Sequence, residues 1–200
     1  MSVELYDKAF VDKLRKWTKD TDVSVLTPSE TRQMMAIIAD KTNDSPIKLP
    51  LISLKRPGGF TVLQTGSRPL NKVGMKLFAN KDMGKRLRAI PISIPYQIDI
   101  YTRYQDEADE FTRNIVYNII NSPRLDVVIP YQDENYVHNS NIFMSGEVEN
   151  TSDIPERLVS GQFTRMSIQI IVDDAYLFDV QHTQTKKVCP GCVTVEVADN

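Results

Sequence analysis

Ile90-Pro91-Ile92-Ser93-Ile94-Pro95-Tyr96-Gln97-Ile98-Asp99-Ile100 carries an apolar residue at every even position. Successive side chains of a strand point to opposite faces, so the run reads as one long strand. Its even residues form a buried face, and Ser93, Gln97 and Asp99 lie on the other. At roughly 3.3 Å per residue the run spans about 36 Å, which is long for a globular strand. Pro91 and Pro95 lack a backbone donor, so its first half is expected at a sheet edge or a bulge. The strand leads into Asp106-Glu107-Ala108-Asp109-Glu110, an acidic helix start that complements the helix dipole. Ala108, Phe111, Ile115 and Ile119 follow as an apolar stripe, widened by Val116 and Ile120. Asn121-Ser122-Pro123 ends that helix.

Working outward, Leu5 to Lys19 is helix-like, with Phe10, Leu14 and Trp17 at helical spacing. Thr27-Pro28-Ser29-Glu30 is a helix start: Thr27 caps, Pro28 suits the first helical position and Glu30 closes a capping box. The helix it opens carries Met34, Met35, Ile37 and Ile38 and ends near 41–44. Short strands are expected over 47–55, 125–130, 141–149 and 163–173, with a turn at Arg56-Pro57-Gly58-Gly59-Phe60 and a polar loop over 149–160. Periodicity is poor from Thr61 to Arg88, as in a long loop or hairpin outside the core. The order predicts an α+β fold, a mainly antiparallel mixed sheet with helices on one face. Residues 1–180 read as a single domain with a basic insertion around 61–88, and 181–200 as a C-terminal arm.

A chain of 200 residues, 41% hydrophobic, is long enough to bury a sizeable core. Its net charge of −2 hides a strong division. Residues 46–90 hold ten bases (Lys48, Lys55, Arg56, Arg68, Lys72, Lys76, Lys81, Lys85, Arg86 and Arg88) and one acid, Asp82. That segment is therefore +9 and the remainder −11. A face of this kind suits an acidic partner, including the acidic surface of another copy. Lys72, Lys76, Lys81, Lys85, Arg86 and Arg88 are the candidate contacts to a neighbouring subunit or to a lumen. The start of the chain lacks a basic region followed by an apolar one, and no apolar run approaches 18 residues. The expectation is a soluble protein made in a cytoplasm, with no membrane contact.

No catalytic or cofactor-binding pattern stands out. Gly58-Gly59 lacks the spacing and the following Lys-Ser/Thr of a phosphate loop. His138 and His182 are read as ordinary loop residues. Asp173-Asp174 and the four acids at 106–110 supply no third type of metal ligand, so no metal is expected. Cys189-Pro190-Gly191-Cys192 sits in the arm; it reads first as two reduced, neutral thiols, then as a disulfide between Cys189 and Cys192, and last as part of a zinc site.

Residues 49–178 resemble structural proteins of the neck and tail of tailed bacteriophages, most closely the tail terminator or tail-completion proteins. The resemblance is carried by Lys48-Leu49-Pro50-Leu51-Ile52-Ser53-Leu54-Lys55-Arg56, by Pro95-Tyr96-Gln97-Ile98-Asp99-Ile100-Tyr101-Thr102, by Glu107-Ala108-Asp109-Glu110 and by Asn121-Ser122-Pro123. It implies an α+β core and a homohexameric ring that caps the tail tube. In contractile tails the ring also stops the sheath, and it docks the neck. On that basis the chain is expected to be a virion structural protein without catalysis, located in the tail or neck and assembled in the host cytoplasm. Its implied partners are itself and the tube, sheath and neck proteins, with DNA passing through the lumen. Two alternatives remain: another neck, connector or baseplate component, and a nucleic-acid-associated protein using 46–90. Against the second, that segment offers only Phe60 and Phe78 for base stacking.

Overall fold

The computed structural model describes residues 2–18, 22–39, 48–63, 78–79, 86–87, 89–131, 134–151 and 163–178. Among the described residues three helices form where the apolar stripes lie: α1 (Ser2–Thr18), α2 (Pro28–Ala39) and α3 (Gln105–Asn121). The capping box that opens α2 is made in both directions. Thr27 Oγ1 accepts from the Glu30 N–H at 3.3 Å, and the Glu30 carboxylate accepts from the Thr27 N–H at 2.8 Å. Those bonds from Thr27 hold the Glu30 carboxyl below its ordinary range.

The strands are β1 (Ser24–Leu26), β2 (Leu51–Lys55), β3 (Thr61–Val62), β4 (Phe78–Ala79), β5 (Arg86–Leu87), β6 (Ala89–Thr102), β7 (Arg124–Tyr131), β8 (Glu134–Asn150) and β9 (Thr164–Phe178). Seven of them form one sheet in the order β1-β2-β6-β9-β8-β7, with β3 also paired to β6. Among the described residues only the β1–β2 pair is parallel, so the sheet is mixed and mostly antiparallel, and the fold is α+β. Within the 61–88 segment, β3 joins the main sheet, while β4 and β5 pair with one another. No helix is long and apolar enough to cross a membrane among the described residues.

The even residues of β6 from Ile92 to Ile100 do what their spacing predicts, whereas Ile90, expected on the same buried face, is exposed at the start of the strand. Ile92, Ile94, Tyr96, Ile98 and Ile100 are fully buried, beside Ile52 and Leu54 of β2 and Ile168, Ile170 and Val172 of β9. α1 supplies Tyr6, Phe10 and Leu14, and α3 supplies Phe111, Ile115 and Ile119, to the same core. At about 25 cal/mol per Å² of apolar area removed from water, this one face carries most of the drive to fold.

One expectation is met in the second of its two forms, a bulge and not an edge, and another is corrected. First, β6 lies in the middle of the sheet, between β9 on one side and β2 and β3 on the other. Its prolines fit because the ladder is broken on the β2/β3 flank. The Pro91 carbonyl accepts from the Leu63 N–H at 3.0 Å, which shows that residue 91 faces β3. Alternate residues of a strand present their backbone groups to the same flank, so Pro95 faces it too. There it lies opposite the gap between β2, whose pairing stops at Gln97, and β3, whose pairing starts at Ser93. A bulge in β9 also falls here, between the pairs Ile92–Ala175 and Ile94–Val172. Second, the helices do not share a face. α1 and α3 cover the isoleucine side, whereas Met34 of α2 packs with Leu51 and Tyr101, whose side chains point to the opposite side.

Phe111 is 7% exposed within the isoleucine core. Phe111→Ala is expected to cost about 3–5 kcal/mol of unfolding free energy, read from the urea midpoint at unchanged slope. A loss below about 1 kcal/mol would mean that α3 does not lock onto β6.

Candidate functional site

The second face of β6 is where periodicity alone is least informative. Asp99 is 0% exposed, although it alternates with the buried isoleucines. Its partners come from both neighbouring strands: Ser53 and Lys55 of β2 lie on this side, as do Arg165, Ser167 and Gln169 of β9. The carboxylate accepts from Lys55 Nζ at 2.7 Å and from Arg165 Nη2 at 3.1 Å, both on Oδ2. Ser167 Oγ donates to Oδ1 at 2.6 Å and Gln97 Nε2 at 2.7 Å. The Arg165 guanidinium also lies over the Tyr101 ring, 5.6 Å from its centroid. Burial alone would raise the Asp99 pKa, but the bonds from Lys55, Ser167 and Gln97 and the Lys55 charge outweigh it, and the carboxyl sits below its ordinary range. A carboxylate this fully engaged is a fixed anion. It is unsuited to act as a general base.

A second charged group lies on the other face. Asp7 of α1 accepts a hydrogen bond from the Tyr96 hydroxyl at 2.7 Å and a forked contact from Arg56 Nη1 at 3.1 and 3.2 Å. Burial raises the Asp7 pKa despite the bond from Tyr96 and the Arg56 charge, and burial beside this anion drives the Tyr96 phenol well up. Lys55 and Arg56 are thus committed to internal pairs. Two of the ten bases of 46–90 do not belong to a basic outer surface.

His138, expected in a loop, is buried in β8. Asp174 has φ 54, the left-handed region, at the bulge in β9. Its carbonyl, turned out of the ladder, is 2.6 Å from His138 Nε2 and 3.2 Å from Ser140 Oγ. A carbonyl only accepts, so His138 carries its proton on Nε2. The freed N–H of Tyr176 donates to the Tyr6 hydroxyl at 2.8 Å, and burial pushes that phenol up to about 12. The Asp174 carboxylate meets Asn141 Nδ2 at 3.1 Å. This histidine closes a bulge.

With Asp7, Asp99 and His138 each tied into internal bonds, the surface holds the functional candidates. Phe60, Val62, Leu63 and Ile90 are exposed around β3 and the start of β6. Val128, Val137 and Phe143 are exposed on β7 and β8, at the opposite margin of the sheet. Between α1 and β7 runs a cleft of about 630 Å³ with an apolar floor that includes Leu5, Ala9, Leu125 and Val128. Lys8, Lys13 and Lys16 stand along it with two acids, Asp12 and Asp126, and Asp12 is paired with Arg15. The acids that open α3 remain at the surface, Asp106, Asp109 and Glu110 exposed and Glu107 half-buried.

Of the residues expected to make subunit or lumen contacts, Arg86 lies in β5 opposite Ala79. Lys72, Lys76, Lys81, Lys85 and Arg88 lie outside the described residues, as do His182, Cys189 and Cys192. Among the described residues no three His, Cys, Asp or Glu side chains gather into a metal-ligating group. No known protein family matches this chain, and no curated protein matches it.

Asp99→Asn removes the anion and leaves Lys55 and the buried Arg165 facing each other. The expected cost is about 3–5 kcal/mol at pH 7. Because the folded pKa is depressed, the Asp99 contribution is complete above the unfolded value of about 4 and is lost as pH falls through the folded value. Urea unfolding across this range should therefore show wild type and variant converging in acid. A gap independent of pH would mean that Asp99 is not ionised in the fold.

Proposed function

We propose that this chain is a virion structural protein, a ring-forming tail terminator that caps the tube of a phage tail, stops the sheath where the tail contracts, and docks the neck. The observation that carries the ring is the pair of different apolar patches, Phe60/Val62/Leu63/Ile90 and Val128/Val137/Phe143, at opposite margins of one sheet. A ring needs two unlike surfaces on each copy, so that one patch meets the other around a closed circle. The charge division supports the same arrangement: the bases of 46–90 other than Lys55 and Arg56 can face the exposed acids at the start of α3 on the next copy. The place in a phage tail rests on the resemblance carried by residues 48–56, 95–102, 107–110 and 121–123. In this reading the protein is not an enzyme. Its buried polar groups hold strands together.

A homohexamer is expected by native mass spectrometry of the purified chain, and a monomer at every concentration and in the assembled particle would remove the ring. Surface charge is screened over about 10 Å at 0.1 M salt and about 3 Å at 1 M, so the ring should loosen as salt rises. Reversing Lys81, Lys85 and Arg86 to Glu together should hinder ring formation and leave the unfolding midpoint unchanged. Rings unaffected by the triple reversal would exclude a basic contact between copies.

A further inference from the structure

β7 is an open edge with a defined phase. Among the described residues it pairs with β8 alone, and the Ile142 N–H donates to the Pro123 carbonyl at 2.6 Å just before the strand begins. In an antiparallel ladder the hydrogen-bonded pairs alternate, so Leu125, Val127 and Ile129 bond inward to β8. Arg124, Asp126 and Val128 then present their N–H and C=O groups outward, and Pro130, which has no donor to lose, shares that phase. Among the described residues no hydrogen bond reaches the outward groups of Asp126 and Val128. The β7–β8 ladder has no register shift, whereas the β8–β9 ladder is interrupted between Met144 and Val148. A straight edge without a bulge is the kind that accepts a further strand.

This flank borders the cleft of about 630 Å³ whose far wall is α1. Residues 5–16 of α1 and 125–130 of β7 line it over lengths of about 16 Å each, so helix and strand run side by side. Lys13 Nζ lies 3.4 Å from Ser122 Oγ, which puts the C-terminal half of α1 at the start of β7. Leu5, Ala9 and Leu125 contribute the apolar floor. The acids of the cleft are already matched. Asp12 pairs with Arg15 at 3.4 Å. Burial lowers the pKa of Lys13 and the nearby Asp126 charge opposes it, while the ammonium lies over the Trp17 ring at 5.1 Å. Lys8 and Lys16 are exposed at the rim, and among the described residues neither forms an ion pair.

We propose that this edge and cleft dock an extended acidic segment of another protein, which adds to β7 as a further strand. Its backbone supplies the hydrogen-bond partners that the outward groups of Asp126 and Val128 lack, and α1 sets the side-chain pattern. Lys8 and Lys16 are about 12 Å apart along the helix, and residues four apart on one face of a strand are about 13 Å apart. The pattern recognised is therefore two acids four positions apart with an apolar residue midway, all on the face toward α1. The carboxylates reach Lys8 and Lys16, and the apolar side chain lies over Leu5, Ala9 and Leu125. In such strand addition the main chain gives affinity, and the side-chain contacts give selectivity. The proposal does not rest on the ring reading, which uses exposed apolar side chains and not backbone groups.

The probe is the peptide acetyl-Thr-Glu-Val-Ile-Thr-Glu-Thr-amide, added to the full chain, with amide hydrogen exchange followed residue by residue. In the free protein the Asp126 and Val128 amides are expected to exchange fast. Peptide at about ten times its dissociation constant should slow them about tenfold, with the isoleucine core unchanged. Lys8→Glu combined with Lys16→Glu should weaken binding by about tenfold or more at an unchanged urea midpoint. The same peptide with Lys in place of both Glu should bind that variant instead. Equal binding by a peptide with Gln in place of both Glu would overturn the proposal, as would no protection with about 1 mM peptide. Amides already slow in the free protein would mean that the edge is covered within the chain. Protection that grows with protein concentration alone would hand the edge to a second copy. Either result also overturns the assignment.

Discussion

A carboxylate with no solvent exposure in the middle of a sheet must find its counter-charges within reach, because an unpaired buried anion costs several kcal/mol. Asp99 finds them on both flanking strands: Lys55 on β2, Arg165 and Ser167 on β9. Slipping β6 by one residue against either neighbour would turn Asp99 into the isoleucine core and strand both cations. The hydrophobic face alone tolerates a slip of two residues, since Ile92, Ile94, Ile98 and Ile100 are chemically alike. The Asp99 cluster does not. Hydrophobic burial supplies the drive to form the sheet, and this cluster selects its register.

The same division explains what could be read from sequence. Alternation along β6 from Ile92, the Ala108/Phe111/Ile115/Ile119 stripe on α3 and the Thr27–Glu30 capping box depend on residues close in the chain and are present as the spacing predicts, while Ile90 and Ile120, expected to extend the buried faces, are exposed. The Asp99 cluster joins positions 55, 99 and 165, and the Asp7 cluster joins 7, 56 and 96. No local period marks such partners. A buried charge in a strand signals only that a partner exists. The placement of α2 escaped for a related reason: Met34 belongs to a small second cluster with Leu51 and Tyr101, and period 2 in β2 does not say which face receives which helix. His138 looked like a loop residue because the bulge it closes is made by Asp174 on another strand.

Local irregularities and global placement are coupled throughout the sheet. Pro91 and Pro95 argue against a central position only if both flanks of the strand are continuous. Here one flank is split between β2 and β3, and the turn that splits it uses Gly59 at φ 77, a conformation costly for any residue with a Cβ. The chain thus obtains a two-sided strand of 14 residues while keeping prolines that hinder intermolecular pairing in partly folded states.

The distribution of satisfied and unsatisfied surface then bears on function. Both ion clusters are closed, with cations, hydroxyls and an amide turned toward their carboxylates, so neither offers a reactive group to a substrate. Lys55 and Arg56 are consumed by these clusters. Of the ten bases of the 46–90 segment, these two are therefore not part of the charge division that a partner would meet. Exposed apolar groups lie at the two margins of the sheet and, with Tyr104, Tyr117 and Ile120, along α3. In the proposed ring, recognition would fall at these margins, since margins of unlike composition favour head-to-tail contact over a two-fold dimer, in which the same patch must complement itself. Closing such contacts into a ring requires a fixed angle between copies. A rigid sheet pinned in register by a buried carboxylate is suited to hold that angle.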